Sequence, residues 1–79
     1  MTSEAVVSLP IEKLERAQEQ ARKRRTKSRV ARLHAEAEYT EHPSARTQRA
    51  FEDAYEEELA ARADYRAAAR RRREAVNGA

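Results

Sequence analysis

The chain has 79 residues, of which alanine supplies 17, arginine 14 and glutamate 12, and its net charge is +3. It has no cysteine and a single glycine, Gly78, so a disulfide framework, a thiolate metal site and a glycine-rich phosphate loop are all excluded. No apolar run approaches the ~20 residues needed to cross a bilayer, and no basic segment followed by an apolar one marks an export signal, so a cytoplasmic protein with no membrane partner is expected.

In chain order, residues 1–8 read as a flexible N-terminal arm containing Val6-Val7. Ser8-Leu9-Pro10 then opens a helix, because proline suits the first turn, where its missing N–H would have no partner. Glu12 and Glu15 follow at the positive end of the helix dipole. Strong helix formers continue without a break to Glu41. His42-Pro43-Ser44 is the break: proline disfavours helix in the residue before it, and Ser44 can cap a new one. A second helix is expected over about 45–76, stopped by Asn77-Gly78, with a C-terminal tail at 77–79. The short connection favours antiparallel neighbours. The expected fold is therefore all-α: an antiparallel two-helix hairpin over residues 9–77, coiled-coil-like, with helix 1 at about 9–41, a turn at 42–44 and helix 2 at about 45–76.

Charge order supports the hairpin. Helix 1 runs acidic, basic, acidic, and helix 2 runs basic, acidic, mostly basic. Folding the chain at residues 42–43 sets Glu12 against Arg73, Glu15 against Arg70 and Glu19 against Arg66. The same fold sets Arg29 against Glu56, Arg32 against Asp53 and Glu36 against Arg49. Such flanking pairs set orientation and register more than stability.

Large apolar residues are few: eleven lie from Leu9 to Val76. That is too little core for an independent two-helix domain, so self-association or folding on a partner is expected. Helix 2 carries one broad stripe that includes Phe51, Tyr55, Leu59 and Tyr65. Helix 1 carries two. Leu14, Ala17, Ala21, Ser28, Ala31 and Ala35 make one, and Val30, Leu33 and Ala37 lie on another face. Two faces imply two neighbours. The candidate interface residues are Val30, Leu33, Phe51, Tyr55, Leu59 and Tyr65.

The second candidate is a phosphate-binding surface. Arg22, Lys23, Arg24, Arg25, Lys27, Arg29 and Arg32 place seven basic residues in eleven positions. Arg70, Arg71, Arg72 and Arg73 form another cluster. Arginine and lysine neutralise a nucleic-acid backbone and release its counterions. With no asparagine in either helix and little glutamine, any such binding is expected to read phosphate rather than bases. The acidic block Glu52-Asp53-Glu56-Glu57-Glu58 is explained by neutralisation of the basic run.

His34, Glu38 and His42 share a helical face, but His42 precedes Pro43 and no fourth ligand stands nearby, so no metal site is expected. No nucleophile–base arrangement is present, so neither an enzyme, a cofactor nor a small-molecule substrate is expected. Helical hairpins of the WXG type are excluded, since the turn differs and the chain has no tryptophan. Alanine and arginine in excess, with only three lysines, match the coding of a GC-rich bacterial or phage genome. The leading expectation is a non-catalytic adaptor, assembly factor or small inhibitor that acts through a protein partner or a homo-oligomer. The alternative is a nucleic-acid-binding accessory protein.

Overall fold

The computed structural model describes the backbone of residues 2–78 and the side chains of residues 11–78. Two helices, α1 (Thr2–Glu41) and α2 (Ala45–Gly78), pack antiparallel into a rod of 62 × 14 × 14 Å. The length follows from the helices themselves, since 40 residues at 1.5 Å each span about 60 Å. The described residues contain no strand.

Both outer boundaries differ from the sequence expectation. Helical backbone begins at Thr2 rather than at residue 9, so the arm expected at 1–8 is helical wherever it is described. α1 therefore runs through Pro10, whose nitrogen carries no N–H to donate to the preceding turn. At the other end α2 runs through Asn77 to Gly78, and no glycine adopts a positive φ. The left-handed glycine stop is therefore absent. Met1, Ala79 and the Val6-Val7 side chains lie outside the described residues.

The turn falls where proline places it. α1 ends at Glu41, and the His42 N–H still bonds the Glu38 carbonyl at 2.8 Å. Ser44 caps α2 in a reciprocal box. The Thr47 N–H donates to Ser44 Oγ at 3.1 Å, and the Ser44 N–H donates to Thr47 Oγ1 at 3.0 Å. Two of the orphan donors at the helix start are satisfied this way, with threonine in the place usually held by glutamate. The Thr47 hydroxyl also donates to the His42 carbonyl at 2.7 Å, which ties α2 back onto the end of α1.

Residues withdrawn from solvent recur at alternating spacings of four and three. On α1 the repeat is Ile11, Leu14, Gln18, Ala21, Arg25, Ser28, Arg32, Ala35 and Tyr39, with Ala17 also half-buried beside it. On α2 it is Thr47, Phe51, Ala54, Glu58, Ala61, Tyr65, Ala68, Arg72 and Ala75, with Ala67 and Ala69 also half-buried beside it. Alternate positions are small: Ala21, Ser28 and Ala35 on one helix, and Ala54, Ala61, Ala68 and Ala75 on the other. Ala61 and Ala68 are the buried apolar residues, and Ser28 is buried beside them. Small side chains let the helices approach closely, and the long residues between them then meet across the seam in distinct pairs.

Those pairs form a ladder. Tyr39 stacks on Phe51 with centroids 6.1 Å apart. Arg32 Nε donates to Glu58 at 2.5 Å. The Arg25 guanidinium lies 4.2 Å from the centre of the Tyr65 ring. Each rung follows the previous one by seven residues on both helices, so a stack, an ion pair and a cation–π contact succeed each other.

The expected charge register holds only in outline. Acidic and basic blocks do meet across the hairpin, but none of the six pairs anticipated from the sequence forms among the described residues. Glu15 meets Arg72 at 3.4 Å instead of Arg70. Arg24 bonds Glu57 at 2.8 Å and also reaches Asp64. Glu19 turns to Arg22 on its own helix at 2.7 Å. The reason is register: the rungs 39 with 51, 32 with 58 and 25 with 65 are centred on residue 45 rather than on 42–43, which displaces every facing position on α2 by about five residues.

Candidate functional site

The small-residue seam leaves the large aliphatic residues outside. Val30, Leu33, Tyr55, Leu59 and Val76 are each 46–50% exposed. Of the six candidate interface residues, Phe51 and Tyr65 belong to the seam, whereas Val30, Leu33, Tyr55 and Leu59 face solvent. Val30 and Tyr55 both stand about half exposed, because the ladder runs through Arg32 and Glu58 instead. Tyr55 makes an edge contact with Phe51, ring centroids 6.3 Å apart.

On α1 the exposed apolar residues form an ordered stripe. Thr26, Val30, Leu33, Ala37 and Thr40 repeat the spacing of the seam on the opposite side of the helix, and all are exposed. The Thr40 hydroxyl is already bonded to the Glu36 carbonyl at 2.9 Å. On α2 the corresponding run through Tyr55 and Leu59 is broken by Glu52, Arg62 and Arg66, which are also exposed.

A shallow groove of about 1360 Å³ lies between the helices near the turn. Ala31, Ala35 and Ala50 line it beside His34, Glu38, Glu41 and His42. Among the described residues no group of histidine and carboxylate side chains is placed to hold a metal ion. No helix of the described residues is long and apolar enough to cross a membrane.

The candidate phosphate-binding residues divide into engaged and free groups. Arg22 is held by Glu19, Arg24 by Glu57 and Asp64, Arg25 lies over Tyr65, and Arg72 reaches Glu15. The guanidinium of Arg24 is held more firmly protonated than usual, first through its hydrogen bond to Glu57. Arg32 is likewise raised, first by the Glu58 hydrogen bond and against its own desolvation. Lys23, Lys27, Arg29, Arg70, Arg71 and Arg73 are exposed and make no ion pair among the described residues.

The hairpin also sorts charge along its length. The half nearer the turn, residues 27–59, carries five basic and eight acidic residues. The half nearer the open end, residues 11–26 with 60–78, carries twelve basic and five acidic. The modest net charge of +3 therefore hides a strongly dipolar rod. No known protein family matches this chain, and no curated protein or solved structure matches it.

Proposed function

We propose that this is a non-catalytic helical protein that acts by protein–protein contact, as an adaptor, an assembly factor or a small inhibitor. The observation that carries the reading is the exclusion of Val30, Leu33, Tyr55 and Leu59 from the seam. A hairpin that packs on small residues and leaves these large side chains half exposed keeps them available to another protein. The seven-residue spacing of the seam makes the hairpin coiled-coil-like and gives a stiff support for that surface.

The test places a photo-crosslinking residue at position 33 or position 59 of the full chain in an extract of its native cell. A discrete protein adduct, to another copy or to a foreign protein, is the expected result. Absence of any protein adduct at both positions would overturn the reading.

One observation favours a second reading. The basic open half presents Lys23, Arg70, Arg71 and Arg73, which make no ion pair among the described residues, and this suits contact with a nucleic-acid backbone. Binding of labelled duplex DNA and single-stranded RNA, measured between 50 and 200 mM salt, tests it. Phosphate contact by four side chains gives a log–log salt slope of roughly −3 to −4. A flat response would exclude this reading.

A further inference from the structure

We propose that the outer stripe of α1 packs antiparallel against the same stripe of a second copy, about a two-fold axis at Leu33. The inference rests on the reading that the protein works by protein contact, and it names the partner.

The stripe has what a helix–helix seam requires. Thr26, Val30, Leu33, Ala37 and Thr40 alternate by four and three, carry no charge and are exposed. They extend over fifteen residues, or about 21 Å from first to last. The equivalent run on α2 is interrupted by three charged residues, so α1 offers the better surface.

Charge order selects the partner and its direction. Basic residues precede Leu33 and acidic residues follow it: Lys27 and Arg29 on one side, Glu36, Glu38 and Glu41 on the other. Among the described residues, Lys27, Arg29, Glu38 and Glu41 make no ion pair within the chain, while Glu36 pairs with Arg32 of its own helix at 3.0 Å. Laid antiparallel about Leu33, a second copy sets Leu33 against Leu33, Val30 against Ala37 and Thr26 against Thr40. Arg29 then falls opposite Glu36, and Lys27 opposite Glu41. Parallel packing would set Arg29 on Arg29 and Glu36 on Glu36, and like charges across an interface oppose association. A foreign partner would need this same inverted order of charges, which the chain already contains in itself. The arrangement is isologous and closes at two copies. A stripe of this length lies at the small end of specific interfaces, so a dissociation constant in the micromolar range is expected.

The absence of native cysteine makes a direct test available. A disulfide needs its two Cα atoms within about 7 Å. Under mild oxidation Leu33→Cys is expected to form covalent dimers by itself. Thr26→Cys is expected not to, because its two copies would lie about 21 Å apart. An equimolar mixture of Thr26→Cys and Thr40→Cys is expected to crosslink. All three positions are exposed, and circular dichroism verifies that each variant stays helical. Leu33→Asp is expected to weaken the dimer about 30-fold, as loss of a central interface residue does. Arg29→Glu should weaken it as well, and adding Glu36→Arg in the same chain should recover the loss.

A chain that sediments as a monomer at 100 µM overturns the proposal, as does Thr26→Cys crosslinking to itself as readily as Leu33→Cys. A monomer whose position 33 crosslinks to a foreign protein removes the second copy while leaving the protein-contact reading standing. A monomer with no protein adduct at position 33 or 59 removes both.

Discussion

Ala61 is 0% exposed, whereas its neighbour Ala60 faces solvent. Leucine and alanine differ little in helix propensity, so replacing each in turn isolates the packing effect. In Ala61→Leu three added carbons enter a seam held close by small residues. The side chain must take a strained rotamer or force the helices apart, at a cost of about 1–3 kcal/mol. Separation would also stretch the rungs on either side, Arg32 to Glu58 and Arg25 to Tyr65. In Ala60→Leu the same carbons enter solvent, and the change should stay within about 0.5 kcal/mol. For a domain of this size each 1 kcal/mol moves Tm by about 4–8 °C, so the two variants should separate clearly. The assay is urea and thermal unfolding followed by helical circular dichroism, at a concentration low enough to keep association out of the transition. Equal stability of the two variants, or a gain in Ala61→Leu, would refute the claim that alanine sets the helix spacing.

Three other outcomes are expected. Ser44→Ala should cost about 1 kcal/mol in thermal unfolding, because the Thr47 N–H loses its acceptor and the reciprocal cap opens. Glu58→Leu should lower Tm by leaving Arg32 with only its weaker contact to Glu36, and adding Arg32→Leu should restore stability to the parent level or above, since a buried ion pair is often replaced by apolar residues without loss. Arg22 holds the Glu19 carboxyl below the usual carboxylate range, chiefly through their hydrogen bond, so the pair's contribution is present above the ordinary glutamate pKa and is lost as pH falls through the lowered value. Glu19→Gln should therefore lower stability slightly at neutral and high pH, leave it unchanged in strong acid where the parent carboxyl is protonated, and so flatten a small part of the acid limb of a pH–stability titration.

Much of this architecture is written locally. Long runs of alanine, arginine and glutamate without glycine or proline dictate two helices, and Pro43 dictates where they part, because both act through backbone geometry within a few residues. Ser44 as a cap is legible for the same reason. The two faces of α1 are legible too, since helical periodicity separates Val30, Leu33 and Ala37 from Ala21, Ser28 and Ala35.

Which face turns inward was not legible. Hydrophobicity favours Val30, Tyr55 and Leu59 for the seam, yet Arg32, Glu58 and a row of alanines share it with Phe51 and Tyr65. Small residues recurring every seventh position bring the helices close, and long side chains between them meet in pairs such as Arg32 with Glu58. The value of Arg32 depends on Glu58, twenty-six residues away, and that of Arg25 on Tyr65, forty residues away. Pairings at such separations are properties of the assembled hairpin rather than of any local stretch. The same holds for the charge surface. The sequence determines how many arginines the chain carries, but only the folded arrangement decides which are consumed by Glu15, Glu19, Glu57, Glu58 and Asp64 and which remain free for another molecule.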